Sequence, residues 1–186
     1  MTEYELTRRD AIAALATAGV VAGGGALTWR ALDENAESTF TDHDRELLDT
    51  VATVVYPSSV SGIPKFVETY VVGRISDQPD RLAGLVDSLD YLDSYAKEWY
   101  DAPYLELSEE RQETVLSEMG ADLSEPDPEG SDVERFRFYV VNELLYALYT
   151  SPTGGELLGL ENPQGHPGGA ESYQHGPPEG VLGWAV

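Results

Sequence analysis

Cysteine is absent from all 186 residues. That excludes disulfides, iron–sulfur clusters, thiolate zinc sites, covalent c-type haem attachment and a cysteine nucleophile. Basic charge is scarce as well. Eleven lysines and arginines face 34 aspartates and glutamates, for a formal net charge of −23, and Lys65 and Lys97 are the only lysines. Nucleic acid is held chiefly through cationic contacts to phosphate, so this balance argues against it as a partner. The acids are spread along the chain rather than gathered in one block, which reads as a solvated surface. At 1 M salt, screening acts within about 3 Å and removes most of the self-repulsion of such a surface. The composition is that of a salt-adapted protein, as from a halophilic archaeon. Nucleotide-binding motifs are missing too: GVVAGGGAL and PTGGELLG follow no strand and match neither G-x-G-x-x-G nor a P-loop.

What the chain does have begins at its N-terminus. Arg8 and Arg9 precede a run from Ala11 to Trp29 that carries no charge. The run is long enough to span a bilayer, which takes about 20 apolar residues, but alanine and glycine dominate it. The Gly23–Gly25 triplet ends any helix there, because each glycine costs about 1 kcal/mol relative to alanine. No polar face recurs at a helical period, as a core helix would require. A charged start followed by a moderately apolar run is the layout of a secretion signal, and the paired arginines select the twin-arginine type. Residues 1–32 are therefore read as a signal segment and 33–40 as a polar linker, with an uncleaved anchor or a buried helix as the alternatives. Removing residues 1–30 takes three acids and three arginines, so the remainder keeps the charge of −23.

The next stretch, 41–150, reads as an all-α domain of about five helices, without sustained period-two alternation. Asp42 and Asp44 open the first, in which Leu47, Leu48, Val51, Val54 and Val55 recur at helical spacing up to Pro57. Pro64 opens a second, with Phe66, Val67, Tyr70, Val71 and Ile75 on its apolar face. Pro79 opens a longer one, with Leu82, Leu85, Val86, Leu89, Leu92, Ala96 and Trp99 inward. Ser108 caps a fourth, ended by Gly120. Ser131 and Glu134 form a capping box for the last, DVERFRFYVVNELLYALYT, whose stripe is Phe136, Tyr139, Val140, Leu144, Ala147 and Leu148. Residues 151–186 differ. They are crowded with glycine and proline yet keep apolar anchors such as Leu157, Tyr173, Val181 and Trp184, so an ordered, irregular strap is expected on the helices or on a partner.

Candidate chemistry is thin. His166, Glu171 and His175 lack the spacing and supporting helix of a metal site. Asp42 and Asp44 are accounted for by capping, and Ser58 and Ser151 sit in no nucleophile elbow. Eleven tyrosines are present, and Tyr91, Tyr95, Tyr100 and Tyr104 cluster around the long helix. They suit packing of that helix surface, with a hydrophobic ligand or a partner as the alternative. No catalytic, metal or cofactor site is assigned.

The order of features resembles the gluconate 2-dehydrogenase subunit 3 family. TRRDAIAALATAG is followed by a helix that runs into a proline, DTVATVVYPSS; then come SGIPKFVETYVVGRI, YTSPTGGELLGL and the closing PGGAESYQHGPPEGVLGWA. The resemblance covers most of the chain, with the middle, from about 76 to 130, generic. It implies a small, cofactor-free accessory subunit of an exported, membrane-associated dehydrogenase. FAD is then expected in a separate large subunit of the glucose–methanol–choline type, which oxidises a sugar, sugar acid or alcohol, and a cytochrome c subunit often accepts the electrons. The role implied is to stabilise the flavoprotein and carry it through the twin-arginine translocon to the outer face of the membrane or beyond. Tyr173, His175 and Trp184 are read as part of the interface, since aromatics with a polar handle commonly anchor such contacts. A free-standing exported ligand-binding protein and an enzyme with an unrecognised site are the alternatives.

Overall fold

The structure, a computed structural model, describes residues 3–17, 40–75 and 78–159. Within them the chain is helical, as expected, apart from two two-residue strands. The helices are α1 (Arg8–Thr17), α2 (Asp42–Val55), α3 (Ile63–Ile75), α4 (Pro79–Tyr100), α5 (Glu109–Glu118), α6 (Asp132–Phe136), α7 (Asn142–Thr150) and α8 (Pro152–Leu157). A 3₁₀ turn, Tyr104–Glu106, precedes α5, and a π turn, Arg137–Val141, joins α6 to α7 without a break.

Local chemistry sets most of these boundaries. At α2 the Thr41 N–H donates to Asp44 Oδ2 at 2.7 Å, while Asp44 N–H donates back to Thr41 Oγ1 at 3.2 Å, a reciprocal cap worth about 1 kcal/mol. At α6 the Glu134 carboxylate accepts from the Ser131 N–H at 2.7 Å and hydroxyl at 2.6 Å. Ser108 occupies the cap position of α5, but its side chain makes no capping bond. Pro57 stops α2, and Pro79 starts α4 at a position where its missing N–H costs nothing.

The inward faces follow the helical spacing. Leu47, Val51, Phe66, Leu89, Leu116 and Leu148 are at most 0% exposed, and full burial of a side chain of this kind contributes about 1.5–3 kcal/mol. Val54, Val86 and Tyr139 are only partly buried. Trp99 departs from the expected inward stripe and is 67% exposed. It lies one and two helical repeats beyond Tyr95 and Tyr91, and continues their outer face instead. The π turn explains why two consecutive valines, Val140 and Val141, are both buried: the Asn142 N–H donates to Arg137 O, five residues back, and the wider turn rotates the following face.

Both ends of the described chain enter the core. β1 (Tyr4–Glu5) pairs in parallel with β2 (Val60–Ser61), and α1 packs on α3, α7 and α8. Asp10, Ala11, Ala14 and Leu15 are buried on one side of α1, whereas Arg8, Arg9, Ile12, Ala16 and Thr17 are exposed. Alanines on both faces hide this division from a reading of hydrophobic period. Residues 151–159, at the start of the stretch read as a strap, form α8 and its end rather than an irregular loop. Ser151 Oγ accepts from the Gly154 N–H at 3.0 Å. Glycine is required at 154, where a Cβ would lie 1.9 Å from Leu148 O.

Candidate functional site

Buried charge in this domain fastens helices together. Glu143, at the start of α7 and 11% exposed by its side chain, accepts from Tyr70 OH at 3.0 Å and Arg74 Nε at 2.9 Å, and pairs with Arg81. One carboxylate thus ties α7 to α3 and α4. Burial, and then the Glu143 charge, push the Tyr70 phenol far above its ordinary range, so it is a fixed donor at any physiological pH. Asp93 on α4 plays a similar part. Its Oδ1 accepts from the Tyr104 N–H at 2.9 Å, and its Oδ2 from Lys97 Nζ at 2.5 Å, with His43 Nε2 3.6 Å away. Burial alone would raise this carboxyl, but the hydrogen bonds from Lys97 and Tyr104 and the neighbouring charges outweigh it and hold Asp93 below the usual carboxylate range. In both clusters the carboxylate accepts from several donors and joins separate parts of the fold.

Two surface grooves were not foreseen from the sequence. One of about 310 Å³ lies between α2 and α3, with Phe40, Leu48 and Val67 below and Arg45, Asp49 and Glu68 at its edge. Burial, followed by the charge of Glu68, pushes the Asp49 carboxyl up to about 6 despite Arg45 nearby. The other, of about 430 Å³, lies where the start of α4 meets the π turn, between Pro79 and Arg81 on one side and Phe138 and Tyr139 on the other. The Arg81 guanidinium sits 5.7 Å from the centre of the Phe138 ring, a cation–π contact. Neither groove brings a nucleophile to a base. Among the described residues no group of three His, Asp or Glu side chains is placed to hold a metal ion, and no helix is long and apolar enough to cross a membrane. At the step from β2 to α3, Gly62 is closely packed, because a Cβ there would lie 2.2 Å from Leu6 O.

What the geometry does present is an aromatic face. Tyr91, Tyr95 and Trp99 stand four residues apart along α4, with ring centres 6.2 Å apart for the first pair and 6.0 Å for the second. The tyrosines are half-buried at their base and Trp99 stands out into solvent. Acids border the face. Tyr100 OH donates to Glu118 Oε2 at 2.6 Å, and this bond, before any burial, pushes the Tyr100 phenol up to about 12. Desolvation and then Asp132 raise Tyr91, and desolvation and then Glu118 raise Tyr95. Asp90 and Glu98 are exposed on the same helix. Rigid, amphipathic rings with few rotatable bonds, ringed by charge, are the usual make-up of a protein-binding hot spot.

The sequence groups Tyr91 and Tyr95 with Tyr100 and Tyr104 and favours helix packing, with a ligand or a partner as the alternative, and it places Trp99 on the inward stripe. Four-residue spacing from Tyr91 through Trp99 was the available signal, because it defines a second stripe beside the leucines. Of the residues singled out for function, Arg8 and Arg9 are on the exposed side of α1's first turn. Tyr173, His175 and Trp184 lie outside the described residues.

Comparison with known families then supplies the context. The family model of gluconate 2-dehydrogenase subunit 3 matches residues 42–168. No curated protein and no solved structure gives a significant match. The matched stretch covers α2 to α8, including the whole aromatic face. The chain therefore belongs to the gluconate 2-dehydrogenase subunit 3 family, and with it to the accessory subunits that accompany a larger dehydrogenase subunit.

Proposed function

We propose that this chain is the non-catalytic small subunit of an exported, FAD-dependent dehydrogenase of the glucose–methanol–choline type, acting on a sugar, sugar acid or alcohol. It stabilises the flavoprotein and supplies its address to the twin-arginine translocon through Arg8 and Arg9. FAD belongs to the large subunit, and a cytochrome c or another acceptor subunit takes the electrons. The acidic surface suits a salt-rich exterior, at the outer face of the membrane or beyond it.

One observation carries the docking part of this reading. In a member of an accessory-subunit family, the most exposed aromatic among the described residues, Trp99 at 67% exposure, continues a tyrosine ladder on one helix face. Single exposed apolar residues are ordinary, whereas an ordered aromatic row is a docking feature. The bordering Glu98, Glu118 and Asp132 call for a partner surface that offers an apolar slot flanked by arginine or lysine.

The test is a tagged pull-down from native high-salt membrane and extracellular fractions, followed by a flavin absorbance spectrum. A yellow complex is expected, with its large subunit held in the cytoplasm when Arg8 and Arg9 are both changed to Lys. A colourless, monodisperse single chain would overturn the proposal.

A further inference from the structure

Residues 3–17 carry the paired arginines, yet they are fitted into the domain like any other part of its core. Three independent features hold them. The first is backbone pairing, with the Tyr4 N–H donating to Ser59 O at 2.8 Å and the Leu6 N–H to Ser61 O at 2.9 Å. The second is shape. Leu6 is 2% exposed and Leu15 is 3% exposed. Two glycines make room for the segment: a Cβ on Gly62 would lie 2.2 Å from the Leu6 backbone carbonyl oxygen, and one on Gly73 would lie 2.4 Å from Leu15 Cδ1. The third is Asp10, only 6% exposed. Its Oδ2 accepts from the Thr7 N–H at 2.9 Å and from the Thr7 hydroxyl, which starts α1. Its Oδ1 accepts from the Thr153 N–H at 3.1 Å and hydroxyl at 2.7 Å. The same carboxylate that starts α1 therefore joins it to the first turn of α8, 143 residues away.

We infer that residues 3–17 are a permanent clamp of the working protein, kept after export, and that Arg8 and Arg9 stay on the surface of the folded domain. A leader that is cut away has no use for a buried carboxylate with four donors or for two glycine-lined seats. Its loss would uncover the α3 surface around Gly73 and leave the N–H of Thr153 without its acceptor. Ser59 and Ser61 would lose their donors at the same time. The inference is independent of which partner covers the aromatic face.

The experiment has two parts, both on the full chain. The protein isolated from its native complex is weighed intact and its N-terminal peptide is identified. A mass that includes residues 3–17 is expected; a mature chain that begins after Thr17 would overturn the inference. Thermal melting then compares Leu15→Asp and the milder Asp10→Asn with Ala16→Asp, which adds the same charge on the exposed side of α1. Melting should fall by about 10 °C for Leu15→Asp and by a few degrees for Asp10→Asn, with Ala16→Asp within about 1 °C of the parent. Equal melting of all three would show that the segment is not part of the folded unit.

Discussion

Changing Trp99 to Ala separates a docking surface from a merely exposed side chain. In the isolated subunit the indole is 67% exposed, and its described ring contact is with Tyr95, 6.0 Å between centres. Its removal should therefore cost the fold little, within about 0.5 kcal/mol, as for other surface substitutions. At an interface the outcome differs. A tryptophan buried at the centre of a contact typically contributes 2 kcal/mol or more, and about 1.4 kcal/mol corresponds to a factor of ten in affinity. Trp99→Ala should therefore weaken assembly with the larger dehydrogenase subunit by roughly 30-fold or more while leaving thermal melting of the free subunit almost unchanged. The assay is a titration of labelled subunit against the purified large subunit at high salt, read by fluorescence anisotropy, alongside melting of the free chain. Tyr95→Ala should act in the same direction and be less than additive with Trp99→Ala, because the two rings touch. An affinity within about threefold of the parent would refute the assignment of this face. A parallel loss of melting temperature would instead show that the ring supports the fold.

Glu143→Ala removes one acceptor from three donors at once and should destabilise by about 3 kcal/mol, the usual cost of stranding a buried pair; urea unfolding measures it, and a loss below about 1 kcal/mol would show that water replaces the carboxylate. Gly154→Ala drives a Cβ to 1.9 Å from a backbone oxygen that cannot yield as a side-chain tip would, so α8 should detach from the end of α7, with faster amide exchange over 152–157 and a melting loss of several degrees. Asp49 gives a pH signature. Its folded-state value, about 6, exceeds the ordinary carboxylate value near 4. The protonated form is thus favoured by folding, and stability falls as pH rises from about 4 through 6. Because the carboxyl is partly solvated, the loss should be about 1 kcal/mol, and Asp49→Asn should recover it at pH 7 and flatten the profile over that interval.

Most of the fold was legible because helical period and capping chemistry act locally. Asp42 with Asp44, Ser131 with Glu134, and prolines 57, 64 and 79 all mark boundaries that the structure keeps. What escaped were matters of neighbourhood. Trp99 sits at a spacing compatible with two stripes, and its 67% exposure among the described residues decides which one it joins. The buried face of α1 was invisible for a related reason: alanine is small enough to lie at 0% exposure at 11 and 14 and equally ordinary in solvent at 16, so its period carries no signal. Glu143 reads in sequence as one surface acid among 34. Its role depends on Arg74 and Arg81, which come near it only when α3 and α4 have packed, a long-range event that no local pattern encodes.

Much of the cationic charge in the described residues is used to join helices. Of the nine arginines, Arg74 and Arg81 are held by Glu143, and Arg137 donates from its Nη1 to Ala121 O at 3.0 Å, fixing the 120–130 loop to the π turn. Burial lowers Arg137, while Asp122 and Glu125 oppose that shift. These cations are engaged in joining helices, and Lys97 in holding Asp93, while Arg8, Arg9, Lys65 and Arg111 stay exposed among a large excess of acids. A predominantly acidic surface repels copies of itself and selects a partner by complementarity. Against that background an aromatic row is the feature that breaks the pattern. It rests on a helix 22 residues long, whose opposite face is locked into the core by Leu82, Leu85, Leu89 and Leu92. A row held so rigidly loses little conformational freedom when it is covered, which is how a small subunit can bind tightly through few residues.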